Sequence, residues 1–301
     1  MTLAPRPRRS LLFVPAANAR ALEKSVSLAA DGLIYDLEDS AAPQEKDAAR
    51  ERLRDHLAAS RFPGERIVRI NPLDSSHGTE DLLMARGAGV DAILLPKVET
   101  VAGLRQVADA LAETDAPPSL RLWAMVETPR GILNVAELAA AAPRCRLDAL
   151  VVGPNDIALS TGIEPGQGRA ELLPWLMQIV LAAKAHGLSV LDGVYADFRD
   201  IAGYEAECAA GRRMGFDGKT LIHPAQIAPA NAAFGPSPEA VAGAERVVAA
   251  FADPSNEGKG VIQIDGRMVE RLHLEQARQL LAVQAAITAT DHRRTEGSSR
   301  P

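Results

Sequence analysis

The 301-residue chain is short of several things, and each absence narrows its chemistry. Two cysteines, Cys145 and Cys208, lie far apart and outside any metal-type spacing, so free thiols in a reducing compartment are expected. Six histidines are scattered, with no His-x-x-x-His or Cys-x-x-Cys pair, which disfavours zinc. Basic charge is not in excess: the net charge of −6 leaves no footprint for nucleic acid or an anionic membrane. Apolar runs are broken by charges well short of the ~20 residues of a membrane span. At the start, "RPRRSLLFVPAANA" sets arginines before an apolar stretch, but Pro15 interrupts it below the ~7–15 unbroken residues of a secretory signal. A basic lead-in to a first strand and a cytoplasmic location are expected.

What is present is repetition. Eight β-rich runs recur: "SLLFVPA" (10–16), "GLIYDLE" (32–38), "RIVRIN" (66–71), "AILLPKVE" (92–99), "LRLWAMVE" (120–127), "LDALVVGP" (147–154), "LSVLDGVYAD" (188–197) and "FDGKTLIHP" (216–224). Several are apolar at nearly every position, as strands of a parallel sheet buried on both faces are. Between them, segments such as 17–30, 80–89, 98–113 and 173–187 carry apolar residues at three- and four-residue intervals. Eight β-then-α units predict an α/β fold, a (β/α)8 TIM barrel over 1–235. A doubly wound sheet is the alternative, but no Gly-rich dinucleotide fingerprint follows the first run. From 236 to 301 the pattern predicts a C-terminal helical extension. It comprises a helix over 237–253, a short alternating stretch over 261–270 with a tight turn at Asp265-Gly266, and a helix over 272–287. A polar tail from 291 is expected to fray. The extension is too small to be a catalytic domain and is expected to pack on the barrel or reach a neighbouring subunit.

In such a barrel the strand C-termini share one face, where catalytic groups gather. The polar residues there are Asp36, Glu38 and Asp39; Arg69 and Asn71; Lys97 and Glu99; Glu127; Asn155 and Asp156; Asp192 and Asp197; Lys219 and His223. Glu127 and Asp156 end consecutive apolar segments, which suggests a cation between them. As oxygen ligands without Cys or His they suit a hard ion such as Mg2+. Arg69 and Asn71, two apart, are predicted to point to one side of their strand. An inward arginine needs an anion, a carbonyl, or a structural carboxylate such as Glu38 or Asp39 to offset its desolvation. His223 reads as an orienting or packing residue or a proton-transfer group, and Lys219 as a Schiff-base lysine only in principle.

At these residues the sequence resembles the citrate lyase beta-subunit-like family, which includes malyl-CoA and citramalyl-CoA lyases, within the hydroxy-oxo-acid aldolase superfamily. The blocks that carry the resemblance include "RSLLFVPA", "DLEDSAAPQEKDAAR", "LLPKVET", "VETPRGILN", "GPNDIA", "DGVYADFRDIAGY", "GFDGKTLIHPAQI" and "GVIQIDGRMVERLHLEQA", from about Arg9 to about Leu281. The resemblance implies a (β/α)8 barrel in a trimer or hexamer, Mg2+ held by Glu127 and Asp156, and substrate contact at Arg69. It implies a CoA thioester and a small 2-oxo acid as reactants, with carbon–carbon cleavage or condensation between them. In several family members an Asp from the C-terminal segment of an adjacent subunit, in a pattern like "DGxMID", moves the proton; here the matching residue is Glu270, a longer carboxylate and a departure from the pattern. A second departure is Ala16-Ala17, where the family often has a glycine. Asp39 joins Arg69 and Glu270 as a catalytic candidate, and Arg69, Glu127, Glu38, Asn155, Arg20 and Lys24 are substrate-binding candidates, the last two for coenzyme A phosphates. Alternatives are the citryl-thioester lyase subunit of citrate lyase acting on an acyl-carrier protein, a malyl-CoA thioesterase, and a CoA- or metal-binding module without proton transfer.

Overall fold

A computed structural model of the protein describes residues 6–298. The described residues fall into two compact units, one spanning Arg8–Phe234 and the other residues 235–298 with Arg6 and Pro7. In the larger unit, eight strands close into a parallel barrel in sequence order. They are β1 (Ser10–Pro15), β2 (Gly32–Asp36), β3 (Glu65–Arg69), β4 (Ala92–Leu95), β5 (Arg121–Val126), β6 (Leu147–Val152), β7 (Ser189–Asp192) and β8 (Gly218–Leu221). Closure is by β8 on β1, with Leu12 opposite Leu221. All eight expected runs form strands, each stopping one to five residues before its run ends.

Helices α1 (Ala19–Ser25), α2 (Lys46–Ala59), α3 (Gly78–Gly87) and α4 (Val101–Glu113) follow the first four strands. After β5 the crossover breaks into α5 (Pro129–Leu133), α6 (Val135–Ala140) and α7 (Ala142–Cys145). Then α8 (Pro154–Thr161) and α9 (Leu173–Ala185) follow β6, α10 (Ile201–Met214) follows β7, and α11 (Ile227–Phe234) follows β8.

Alternation along each strand separates two cores. Leu11, Ile34, Ile67, Ala92, Leu94, Trp123, Met125, Ala149, Val151 and Leu191 fill the barrel interior. Their neighbours Leu12, Leu33, Val68, Ile93, Leu122, Leu150 and Val190 face outward onto buried helix residues such as Leu53, Leu104 and Ile179. Both faces are therefore dry, which is why the runs read as continuous hydrophobic stretches. Each large side chain so buried contributes roughly 1.5–3 kcal/mol of transfer free energy.

The N-terminal end of the barrel is sealed by an ionic floor. Arg8, 8% exposed, donates from Nε and Nη2 to Glu65 at 2.9 and 2.8 Å, from Nη1 to Ser189 Oγ at 2.8 Å, and to Asp148. Its guanidinium lies 4.8 Å from the Trp123 ring centroid. The basic lead-in is thus no mere lead-in: one of its arginines is buried beneath the barrel.

In the second unit, α12 (Pro238–Ala252) packs on α13 (Arg271–Ser298), and β9 (Val261–Ile264) pairs antiparallel with β10 (Arg267–Glu270). Asp265 and Gly266 both take positive φ, +50° and +79°, as a two-residue hairpin turn requires. The tail expected to fray from 291 instead continues α13 to Ser298, because nothing in 288–298 breaks a helix: the segment has no proline and its single glycine is near the end. Residues 299–301 lie outside the described residues. Among the described residues no helix is long and apolar enough to cross a membrane.

Candidate active site

The strand C-termini open into a cleft of about 310 Å3 whose lining includes Phe13, Asp36, Arg69, Met125, Asp156 and Ile222. Arg69 is its floor. It is the last residue of β3, on the inward parity set by Ile67, and opposite Asp36 of β2 in register. Its fork grips Asp36 in two parallel bonds, Nε to Oδ1 at 2.7 Å and Nη2 to Oδ2 at 2.8 Å. Nη2 also reaches Asp39 Oδ2 at 3.2 Å, and Nη1 lies 2.9 Å from Glu38 Oε2. That last pair is close but off the hydrogen-bond axis, so the buried Oε2 has no aligned donor. Phe13 stacks under the guanidinium at 4.9 Å, and the Met125 sulfur stands 4.0 Å from Nη1. Burial alone would lower the Arg69 pKa; Asp36, Glu38 and Asp39 outweigh it and raise it, so the charge is permanent.

Glu127 follows β5 directly, because Thr128 then caps α5: its Oγ1 accepts from Gly131 N–H at 3.0 Å, and Pro129 opens the helix. The carboxylate is 1% exposed and accepts from the Lys97 backbone N–H at 2.8 Å. Burial, reinforced by the negative charges of Glu38 and Asp156, pushes Glu127 up to about 7. Asp156 sits in the first turn of α8, after Pro154, where the helix dipole favours a carboxylate. Lys97, at a left-handed φ of +49°, sends Nζ to Glu38 Oε1 at 3.1 Å. Burial raises the Glu38 pKa against the pull of Arg69. Carboxylates thus outnumber cations around the cleft. Among the described residues no cluster of three or more His, Cys, Asp or Glu forms a complete cation cage.

The structure brings together Asp36, Glu38, Asp39, Arg69, Lys97, Glu127, Asn155 and Asp156 of the residues read from the sequence. Arg20 and Lys24 are exposed, one turn apart on α1. Glu270, at the end of β10 in the second unit, is exposed, and its backbone N–H donates to His273 Nδ1 at 2.9 Å. Other expectations are corrected. Asn71 does not share Arg69's surroundings: β3 ends at Arg69, and Asn71 Nδ2 donates to Leu37 O at 3.0 Å and Asp81 Oδ2 at 2.6 Å. Asp192 and Lys219 are not at the mouth. Leu191 faces inward, so Asp192 faces out, where it pairs with Lys219 at 2.9 Å and with Arg169 in a two-bond fork at 2.8 and 2.9 Å. Glu207 of α10 completes this buried group, 2.7 Å from Lys219 Nζ and 3.0 Å from Arg169 Nε. His223 stacks on Phe198, and its Nδ1 accepts from Ala225 N–H at 3.2 Å, the orienting and packing reading. Asp197 accepts from the Arg199 backbone N–H, two residues on, and Glu99 stands 3.8 Å from the exposed Arg130.

Sequence reasoning passed over Lys46. Its Nζ donates to the carbonyls of Leu37 (3.1 Å) and Glu38 (2.7 Å) and to Asn71 Oδ1 (2.5 Å), pinning the acidic loop from behind. A lysine on a helix surface has no signal to set it apart. Arg169 was missed for a similar reason, lying in an irregular loop.

Over residues 9–224 the sequence matches the HpcH/HpaI aldolase/citrate lyase family. The chain is 47% identical over 284 residues to a (3S)-malyl-CoA thioesterase of Cereibacter sphaeroides, spanning 94% of this chain and 96% of the relative. To citrate lyase subunit beta of Escherichia coli it is 36% identical over 283 residues, 92% and 93% of the two chains. A solved structure of the Mycobacterium tuberculosis protein CitE, in complex with magnesium, acetoacetate and coenzyme A, is similar with a TM-score of 0.71 and 32% identity. That likeness covers 91% of this chain and 97% of the other.

Proposed function

Since the chain belongs to the HpcH/HpaI aldolase/citrate lyase family, we propose that it is a Mg2+-dependent carbon–carbon lyase acting on a 3-hydroxy-acyl-CoA of the malyl-CoA or citramalyl-CoA type. One observation carries the reading: Arg69 offers a permanent positive charge at the floor of an acidic cleft, its Nη1 bonded to the Met125 sulfur at 4.0 Å with Glu38 Oε2 beside it off the hydrogen-bond axis. A substrate oxygen is a better acceptor than a thioether at 4.0 Å.

The donor set fits the metal. Glu127 and Asp156 are hard oxygen ligands, and the pKa of Glu127 is raised by burial first and by the charges of Glu38 and Asp156 second, a cost to the carboxylate that a dication would offset. Glu127 and Asp156 would hold the ion, and two protein carboxylates would leave room for water and substrate oxygens, as Mg2+ prefers. When bound, Mg2+ would supply Lewis acidity to the 2-oxo-acid half of the substrate.

The chain's own groups do the rest. The proton of the C3 hydroxyl passes to Asp39, which lines the cleft beside Arg69. Arg69 stabilises the alkoxide oxygen as the C3=O bond forms and the C2–C3 bond breaks. The electron pair moves onto C2 and the thioester carbonyl, and C2 is protonated by Glu270 of a neighbouring copy in a homo-oligomer. Asn155 hydrogen-bonds the substrate at the rim, and Arg20 and Lys24 meet the coenzyme A phosphates.

The 47% identity to a malyl-CoA thioesterase favours a second reading, hydrolysis: water adds to the thioester carbonyl and the thiol leaves with a proton. Incubation of the purified protein with malyl-CoA and Mg2+, or with EDTA, separates the two. Acetyl-CoA with glyoxylate marks the lyase; malate with free coenzyme A marks the hydrolase. No turnover of any free CoA ester would sink both and direct attention to a carrier-protein thioester.

A further inference from the structure

We infer that Arg169 and Asp192 are positioning residues for Asp156: their buried fork steadies both ends of α8, the helix that carries this carboxylate, and so fixes where it stands relative to Glu127. The inference rests on the metal reading proposed for Glu127 and Asp156, and adds what holds one of the two ligands in place.

Helix α8 begins at Gly153 without a side-chain cap. Packing fixes its start instead. Its first residue, Pro154, is buried against Gly193 so closely that a β-carbon at 193 would overlap Pro154 Cδ and lie 2.6 Å from Cγ. The Gly193 N–H donates to Asp192 Oδ1 at 2.8 Å. At its other end α8 stops at Gly162, left-handed at a φ of +70°. The loop that follows brings Arg169 back onto the same carboxylate, Nη1 to Oδ1 at 2.8 Å and Nη2 to Oδ2 at 2.9 Å. One buried side chain is thus tied to the start of the helix through Gly193 and to the chain beyond its end through Arg169. Asp156 lies in the first turn between these ties and lines the cleft.

Two details set this group apart from ordinary core filling. Arg169, 7% exposed, holds a left-handed φ of +57°, a backbone that costs a residue with a side chain, and its fork on Asp192 is the compensating contact. Lys219 and Glu207 then complete a quartet of two cations and two carboxylates. Apolar side chains fill such a space at least as stably; what the ionic group adds is direction, since a fork fits a carboxylate in one orientation.

The test titrates Mn2+ into the full chain by electron paramagnetic resonance, with water-proton relaxation reporting the hydration of the bound ion. Arg169→Met and Gly193→Ala are each expected to weaken Mn2+ binding at least about tenfold and to leave a more hydrated ion, as when a ligand withdraws. Arg169→Lys, a charge without the fork, is expected to fall between them and the wild type. In an Asp156→Asn background, where the ligand is already lost, Arg169→Met is expected to cost no further affinity. Easier unfolding in urea with native Mn2+ affinity and hydration overturns the inference, and so does an undiminished effect of Arg169→Met in the Asp156→Asn background. If Arg169→Met does not fold, Gly193→Ala, which leaves the quartet in place, decides alone. An Asp156→Asn chain that binds Mn2+ as the wild type does would instead remove the metal reading, and this inference with it.

Discussion

Gly153 and Glu127 stand so close that a β-carbon at position 153 would lie 2.5 Å from both Cβ and Oε2 of Glu127. Gly153 has a negative φ of −108°, so its backbone does not demand glycine; the neighbouring carboxylate does. Gly153→Ala is therefore expected to displace Glu127, weaken Mg2+ binding at least tenfold and cost about 1–3 kcal/mol of stability. Metal titration and thermal unfolding measure the two effects separately. A variant with native metal affinity would show that Glu127 is not held by this contact.

The burial of Glu127 has a pH signature. Its pKa rises from 4.5 to about 7, so the metal-free native state binds a proton that the unfolded chain releases. Stability therefore falls as pH rises from about 4.5 to 7, by about 3 kcal/mol in all. Bound metal must displace the same proton, so affinity is expected to drop as pH falls below about 7. Glu127→Gln should flatten both profiles, be more stable than the wild type at pH above 7 in EDTA, and lose metal binding. Calorimetric scans across that window check the sign.

Arg69→Lys keeps the charge but loses the fork that matches Asp36. The loss of one aligned donor to a developing oxyanion is expected to lower kcat by about 10²–10³-fold with a smaller change in KM. Equal loss of kcat with Arg69→Ala and no rescue by added guanidinium would assign Arg69 to structure alone.

Asp192→Asn leaves Arg169 and Lys219 buried around a neutral amide. An expected cost of about 3–5 kcal/mol follows from an uncompensated buried charge. Burial alone would raise the Asp192 pKa; Lys219 and Arg169 outweigh it and lower it. Its stabilisation is thus present at neutral pH and lost in acid, as pH falls through the depressed value. Urea unfolding of both proteins at pH 7 and at about pH 2, below the ordinary 3.8, should show the gap between them narrowing in acid.

Glu270→Ala is expected to cut turnover while Glu270→Asp retains it. If the carboxylate serves a neighbouring copy, mixing Arg69→Ala and Glu270→Ala chains restores activity that neither has alone. Mixed oligomers without recovery would place both groups in one chain's site, or take Glu270 out of the reaction.

The barrel was legible because both faces of its strands are dry, so each strand writes an unbroken apolar run. Arg69, Glu127 and Asp156 stood out because a charge at the end of such a run is conspicuous. Direction was harder to read. Asp192 also ends an apolar run, but the strand's parity turns it outward, and only the inward packing of Leu191 reveals that. Asn71 lies past the last paired residue, where alternation no longer applies. Lys46, Arg8 and Arg169 gave no sign, because a cation on a helix, in a lead-in or in a loop looks solvated until the chain folds over it.

The floor beneath Trp123 makes the barrel a cul-de-sac. With Arg8, Glu65, Asp148 and Ser189 closing the far end, ligands enter and leave by the same door. Under the proposed chemistry, a small acid seated beside Arg69 would arrive before the bulky thioester in condensation and depart after it in cleavage. Such an arrangement would impose a queue: the oxo acid, released last, would act as a product inhibitor, and the rate of its escape would set a ceiling on each cycle.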